Sequence, residues 1–579
     1  MKITKVEIQN YRNLSGLTIH FDENCNFIVG ENNIGKSNLL WLLNSVFTSR
    51  SFNSEDFKDQ SQSIEISFQL KLDDIEIGNF ENYFSQEDQR LINIIAKQET
   101  IDDNIEFFHK ETNSPILASK IRYINFIHYD SLRNPITEIN FDKGRGVGKF
   151  LKNIITRYLQ ENDLSETEFI EKEKFESAID TVNGRISKIK TFKDNNISAF
   201  LDDDFISLLS KLIILKDAKG DNLTKSGYGI QFLILVTLSV LEKIQYIKQQ
   251  RKDKAIFESE TSEKAISLVL GLDEPEIHLH PYMQRSLIKY LRDVINNENE
   301  DFKQLIKDLF DIDKFIGQII VVTHSPNIIL DEYNQIIRFH LQKSQLQIKC
   351  GSQFDRLNSD KNMQKHLHLH FPFIKEAFFS RCAIFVEGDT EYASFPILGE
   401  KIYGDFDDLG ICVIQARGES VPILMEIVDL FGIPSVGITD KNDISSPTTL
   451  PQHYQTTLHD FEEEIIALLL MAGNENILRE IVKNFDSQGD QRFMMANALN
   501  KQAKKKYHLS PSDYTNNLKL ADIPSTDTAN LKAYYLSWFS TMKSFPLGKL
   551  IGEILTEKQI PIIYKTVFEK ARELAKNAQ

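Results

Sequence analysis

The sequence predicts an α/β chain of two large domains, the first built around a glycine-rich strand-to-helix turn and the second an α/β unit rich in acids at strand ends. Three observations predict it. Residues 28–40, IVGENNIGKSNLL, read as an apolar strand, a glycine-rich turn and a helix start. Two later apolar runs, ISLVLGLDEPE and GQIIVVTHSPN, end in polar residues as buried parallel strands end at a ligand site. After residue 380, RCAIFVEGDTE and GIPSVGITDKND repeat that pattern with carboxylates at the ends.

Length and composition set the frame. A chain of 579 residues, 41% apolar and 26% charged, has ample material for a packed core and is not a disordered or fibrous sequence. The formal charge of −16 argues against attraction of the whole surface to DNA or to anionic membranes, while leaving room for a local groove or metal-bridged phosphate contacts. The four cysteines, Cys25, Cys350, Cys382 and Cys412, form no C-x-x-C pair and are expected as buried free thiols. MKITKVEIQNYRN has no signal-peptide order, and the apolar run FLILVTLSVL is far shorter than the roughly 20 residues a bilayer needs. A cytoplasmic protein without membrane contact is the expectation.

The alternation in ITKVEIQNYRNLSGLTIHF predicts a strand pair leading into the glycine-rich turn. There Gly30, Gly35, Lys36 and Ser37 match G-x-x-x-x-G-K-[ST]. The glycines let backbone N–H groups converge on phosphate oxygens at a helix N-terminus, Lys36 reaches the β- and γ-phosphates, and Ser37 binds magnesium. Asn33 and Asn38, in and just after the loop, complete the expected ATP contacts. Residues 64–73 and 121–129 read as further strands, and 151–215 as a charged helical insertion suited to dimer contacts or a solvated face. Ser226, Gly227 and Gly229 open an apolar helix, a second anion site with a use if a dimer completes it across the interface. Residues 246–264 read as an exposed, charged excursion. At the next strand end, Asp273 is expected to hold magnesium through water and Glu274 to activate the attacking water. His324, beyond the strand that follows, is placed to donate to the γ-phosphate.

Taken in order, NYRNL, the phosphate loop, the Ser-Gly signature, DEPE and THSP resemble the ABC-type ATPases of the SMC and RecF group, and DEPEIHLHP…VVTHSPNIIL resembles the OLD (overcoming lysogenization defect) family in particular. The resemblance covers residues 1 to about 345 and also implies Arg12 near the phosphates. The expected domains are an ATPase over 1–350, a junction over 351–380 and a second domain over 381–579.

In the junction, HLHLHF would put three histidines on one face of a strand, a weak metal-site pattern without an acidic or Cys partner beside it. In the second domain Glu387 ends a strand and Glu391 follows one helical turn on, while Asp440, Asp443, Asp460, Glu462, Glu463 and Glu464 follow at later element ends. So many acids in one crevice call for cations, and two magnesium or manganese ions about 4 Å apart would serve phosphodiester cleavage. This segment resembles a Toprim domain in its OLD-family form. That resemblance implies Glu387, Glu391, Asp460 and Glu462 as metal ligands, Asp440 at the second strand end, and Lys543 as a late lysine, with Lys549 as its rival. DKND departs from the usual D-x-D, which puts Asp443 in doubt. The implied activity is an ATP-regulated, metal-dependent DNA endonuclease of bacterial anti-phage defence. Its implied partners are DNA, a second copy of the chain, and either a UvrD-like helicase, as in Gabija, or a retron reverse transcriptase with its msDNA. Two other readings remain: an SMC-like or RecF-like DNA clamp without nuclease, and a topoisomerase or primase using the same acids.

Overall fold

The structure is a computed structural model. It describes residues 1–130, 228–251, 256–441, 450–486 and 518–578, apart from 81, 82, 86, 87, 278 and 331, together with a few positions at 154, 156 and between 506 and 515. The helical insertion expected at 151–215 (but for 154 and 156), with Ser226, Gly227 and Asp443, lies outside the described residues.

Among the described residues, three sheets organise the chain. The first is antiparallel, in the order β2-β1-β4-β5-β6-β7, from β1 (Lys2–Gln9), β2 (Thr18–His20), β4 (Ile64–Lys71), β5 (Leu91–Gln98), β6 (Glu106–His109) and β7 (Pro115–Ile116). Alternation in β4 and β5 places Ile64, Ile66, Phe68 and Leu70 opposite Ile92, Ile94 and Ala96 in one buried layer. The second runs β13-β12-β3-β11-β10-β8: β3 (Cys25–Val29), β8 (Asn125–Tyr129), β10 (Lys264–Asp273), β11 (Lys314–Val322), β12 (Ile336–Gln342) and β13 (Gln345–Cys350), with the short β9 (Phe257–Glu258) on β10. Its central strands β3, β10 and β11 are parallel and almost wholly buried, so they read as apolar runs rather than alternations. Because β11 lies between β3 and β10, the loops after all three open at one edge.

The third sheet is parallel, β15-β14-β16-β17, built from β14 (Cys382–Val386), β15 (Ile411–Gln415), β16 (Ser435–Thr439) and β17 (His453–Gln455). Strand order reverses between β14 and β16, which makes the crevice outside their carboxyl ends the ligand position of an open α/β sheet.

The two halves share one hydrophobic core, which runs from Phe27 and Leu270 through Phe371 and Phe378 to Phe385 and Phe431. Arg338 of β12 is buried against the second half and donates to four carbonyls, Phe378 (3.1 Å), Ser380 (2.8 Å), Phe431 (3.3 Å) and Gly432 (2.9 Å). His340, two residues on and therefore on the same face, packs on Gly432.

Several sequence expectations need correction. HLHLHF is helical, within Lys361–Ile374: Asp360 caps the helix by accepting from the Asn362 and Met363 amides, and Met363, His366, Leu367, His370, Phe371 and Ile374 form its buried stripe. His366 and His370 share the Ser420 hydroxyl at 2.9 and 3.1 Å, whereas His368 bonds back to the Gln364 carbonyl. The strand expected at 121–129 begins only at Asn125, after a short helix, Ala118–Ile121. The excursion expected from 246 is instead helical as far as Arg251, with Ile247 buried. All four cysteines are buried free thiols, as expected. Among the described residues no helix is long and apolar enough to cross a membrane.

Candidate active sites

The phosphate loop joins β3 to the helix Lys36–Thr48. Gly30 has φ +134 and a Cβ there would stand 2.1 Å from the Phe339 carbonyl oxygen, so the loop needs glycine both for its backbone and for its approach to β12. Gly35, the helix N-cap, has φ +93 and lies against the Asn13 side chain, and Asn33 is also left-handed at φ +61. Lys36 folds back onto the carbonyls of Gly30 (2.9 Å) and Glu31, a space a phosphate would share. Burial draws its ammonium down to about 8, against the pull of Glu274 and Asp273.

Ser37 Oγ donates to Asp273 at 2.9 Å, so the two residues expected around magnesium are already joined. Asp273 is pushed up to about 6, chiefly by burial. Glu274 sits at φ +48 and its carboxylate lies 3.2 Å from His324 Nε2. Burial and the nearby Lys36 ammonium lower the His324 pKa, favouring the neutral ring. Arg12 donates from Nη1 to Asn38 at 2.8 Å and from Nε to Asp56 at 2.8 Å, at the start of the same helix. Gly229 lies in the first turn of the helix Tyr228–Arg251.

One residue of this edge escaped the sequence reading. Glu276 accepts from the Thr323 hydroxyl and the His324 amide, both at 2.7 Å, tying the turn after β10 to the turn after β11. A third acid in DEPE was visible; its inward turn was not.

In the second half, Glu387 follows β14 and Asp440 follows β16, on the two sides of the switch point. Glu387 Oε2 accepts from the Asp440 amide at 2.9 Å, and Gly418 leaves room for the Glu387 carboxylate, which a Cβ would meet at 2.9 Å. Glu391 is buried in the first turn of the helix Asp389–Tyr403. Asp460 caps the helix Phe461–Met471 through the Glu463 amide (2.9 Å), and its other oxygen accepts from Tyr507 (2.8 Å) and Lys506 (2.7 Å). Glu462, also fully buried, pairs with Lys543 at 3.0 Å. Lys549 instead lies on the surface near Glu553, at 3.8 Å.

The electrostatics are those of crowded acids. Burial, then Glu391, pushes Asp440 up to about 9, and burial pushes Glu462 up to about 7 against the Lys543 charge. Glu391 is likewise raised by burial. Asp460 stays below its ordinary value despite burial, because Lys506 stands beside it. Lys543 is raised in spite of burial by Glu462, Glu391, Asp440 and Asp460 together. Glu391 Oε2, Asp440 Oδ1 and Glu462 Oε1 are buried and have no hydrogen-bond partner among the described residues. Such oxygens are costly to leave unpaired and are the donor type that magnesium and manganese prefer, so the residues fit a divalent cation. As they stand, no three His, Cys, Asp or Glu side chains among the described residues form a ready coordination shell. Sequence reasoning missed Lys506 and Tyr507 as the partners of Asp460, because nothing in their spacing points back to it.

A phosphate loop on one parallel sheet and a carboxylate cluster at the switch point of another define a two-domain protein of nucleotide-binding and Toprim type. Residues 1–142 and 78–329 match the family described as AAA ATPase domain, and residues 378–442 match the overcoming lysogenization defect protein-like Toprim domain. The chain therefore belongs to the AAA ATPase domain family and carries an OLD-like Toprim domain, classes that use nucleotide and divalent metal. Among its relatives is endonuclease GajA of Bacillus cereus (strain VD045), 23% identical over 77% of this chain and 76% of that protein. Another is the Old nuclease of Escherichia phage P2, 22% identical over 65% of this chain and 58% of that protein. A solved structure, the C-terminal region of the Burkholderia pseudomallei OLD protein, is 16% identical, covers 34% of this chain and 99% of that one, and has a TM-score of 0.22.

Proposed function

We propose that this chain is an ATP-regulated, divalent-metal-dependent DNA endonuclease of anti-phage defence, acting in the cytoplasm. Residues 1–350 form its ATPase domain, 351–380 a junction and 381–579 its Toprim nuclease. The observation that carries the reading is the cluster of Glu391, Asp440, Asp460 and Glu462 around Lys543, with Glu387 bonded to the Asp440 amide and three buried carboxylate oxygens of the cluster without a partner among the described residues. The endonuclease and nuclease relatives support it.

Glu391, Asp440 and Glu462 would hold the metal, magnesium or manganese in a two-ion site, with Glu387 and Asp460 as further ligands. Bound there, such ions supply Lewis acidity at the phosphate and a water of lowered pKa. Glu387 braces the Asp440 backbone, and Asp460 is locked by its cap and by Lys506 and Tyr507. Released from Glu462, Lys543 would stabilise negative charge developing on the scissile phosphate. In the ATPase, Lys36 would leave the Gly30 and Glu31 carbonyls for the β- and γ-phosphates, Ser37 and Asp273 would hold magnesium, and Glu274, oriented by His324, would activate water. Gly30, Asn33, Gly35, Arg12 and Asn38 would shape the ATP cradle. Ser226, Gly227 and Gly229 would meet the nucleotide of a second copy, giving a homodimer or larger oligomer. A UvrD-like helicase or a retron reverse transcriptase with its msDNA remains the proposed defence partner.

Regulation has a physical route. Arg381, at the start of β14, pairs with Glu31 of the phosphate loop at 2.7 Å. Phe339 touches Gly30 while its neighbours Arg338 and His340 face the second half. A shift of the loop on nucleotide binding would therefore reach the strand that carries Glu387.

The test is cleavage of phage and plasmid DNA with magnesium or manganese, with and without ATP, by wild type, Glu387→Ala and Lys36→Ala. The expected result is cutting lost in Glu387→Ala and altered nucleotide dependence in Lys36→Ala. Cutting that survives Glu387→Ala would remove the Toprim cluster as the nuclease. DNA binding without cleavage under every condition would favour a clamp.

A further inference from the structure

Two segments that build the nuclease cluster meet a second time outside it. The helices Asp389–Tyr403 and Phe545–Ile554 approach so closely that a Cβ on Gly548 would stand 2.2 Å from the Thr390 carbonyl oxygen. On the inner side this contact gathers Glu391 and Lys543, both within 3.4 Å of where a Cβ on Gly388 would sit. On the outer side it sets Tyr392 against Phe545, with ring centroids 6.0 Å apart and planes at 53°. Both rings are exposed, Tyr392 by 36% and Phe545 by 49%. Tyr392 follows the proposed metal ligand Glu391 directly, and Phe545 lies two residues beyond Lys543.

An exposed aromatic pair leaves apolar area in water that neither helix needs exposed. Its place is held by the Gly548 contact between the helix that carries Glu391 and the helix that follows Lys543. The chain also carries 83 acidic against 67 basic residues, which weakens the general electrostatic attraction that ordinarily holds nucleic acid. A π-face is a contact that such a protein can offer without charge.

We propose that Tyr392 and Phe545 form a base-stacking platform beside the nuclease site, taking an unpaired base of the DNA strand being cut. The inference rests on the nuclease reading and adds to it a preference for frayed, flapped or single-stranded DNA over intact duplex at the site. Both are positioning residues: they hold the strand, and the carboxylates perform the chemistry.

The experiment uses the full chain and short single-stranded and duplex DNA carrying 2-aminopurine, whose fluorescence falls when it stacks on an aromatic ring. Binding is titrated for wild type, Tyr392→Ala, Phe545→Ala and Tyr392→Phe over a range of salt. The expected result is quenching with wild type and Tyr392→Phe, and about tenfold weaker single-strand binding in each Ala variant, within the range of one base stack. The slope of log affinity against log salt should not change, because no phosphate contact is lost. Unchanged melting temperatures would show that the Ala variants are folded. Wild-type binding without quenching, or Ala variants that bind like wild type, would overturn the platform and leave the nuclease reading standing. Wild type that neither binds nor cuts DNA would overturn both.

Discussion

Replacing Arg338 by Met removes the cation that fastens β12 to the second half of the chain. Four carbonyls, of Phe378, Ser380, Phe431 and Gly432, then lose their donor in a buried position. Hydrogen bonds from a charged donor contribute about 1.5 to 3 kcal/mol each, so four give a gross loss of roughly 6 to 12 kcal/mol. Against this stands the desolvation of a guanidinium, several kcal/mol, which Met does not incur. That desolvation is visible in the arginine itself, drawn down to about 10 by burial although still charged at neutral pH. The net expectation is a loss of about 3 to 5 kcal/mol, what remains of the hydrogen-bond loss once that desolvation is recovered. The chain's two tryptophans provide the assay, since Trp41 lies on the helix after the phosphate loop and Trp538 in the core of the second half. Urea unfolding of single-tryptophan variants should show both signals moving to lower denaturant on Arg338→Met. Arg338→Lys should fall between, because one ammonium cannot reach four carbonyls. A loss below about 0.5 kcal/mol at both tryptophans would refute the view that these four bonds hold the interface.

The same interface should be acid-sensitive: His340 is held near 4, first by burial and then by Arg338, whereas an unfolded histidine titrates near 6.5. Between those values the unfolded chain binds more protons, so this contribution is full above about pH 6.5 and falls by about 1.4 kcal/mol per unit as pH drops towards 4. His340→Phe should lack this dependence, so the wild-type minus variant stability difference measured by urea unfolding should fall by about 1.4 kcal/mol per unit as pH drops from 6.5 to 4.5, and equal pH slopes would contradict it. Gly30→Ala combines a left-handed φ with a contact 2.1 Å from the Phe339 carbonyl oxygen. It should abolish binding of a fluorescent ATP analogue and lower the melting temperature, and wild-type affinity would count against the loop geometry. Lys543→Ala should reduce DNA cleavage by about 100-fold or more, as expected for losing a charge that stabilises the transition state. Lys549→Ala, on the exposed surface, should cut within about twofold of wild type. Rates reversed between the two would exchange their roles.

What the sequence revealed was what sits close together along the chain. Phosphate loop, strand ends and helix starts obey local rules, so Gly30, Lys36, Asp273, Glu387 and Asp440 were found from spacing and fall at carboxyl edges of parallel strands. HLHLHF misled because a period of two competes with a helical stripe at i and i+4, and the Asp360 cap settles the matter outside the quoted motif. Partners distant in sequence were invisible: Glu31 with Arg381, Asp460 with Lys506 and Tyr507, and Arg338 with four backbone oxygens. A backbone carbonyl has no signature in a sequence, and a buried arginine without an acidic partner has little more. Between Lys543, the preferred late lysine, and its rival Lys549, spacing alone decides little, whereas the fold sets Lys543 beside Glu462 and Lys549 on the surface.

Manganese binding, followed by electron paramagnetic resonance, to the wild-type chain and to Glu391→Gln with Asp440→Asn tests whether these carboxylates hold the metal of a nuclease. Lys36→Ala with Asp273→Asn in all samples silences the ATPase site, so that the signal reports the Toprim cluster, and DNA cleavage is measured in parallel on chains with an intact ATPase. The Toprim pair of substitutions should remove both bound manganese and cutting. Manganese bound as tightly by the double variant as by its parent, or cutting that persists without it, would contradict a nuclease built on these carboxylates.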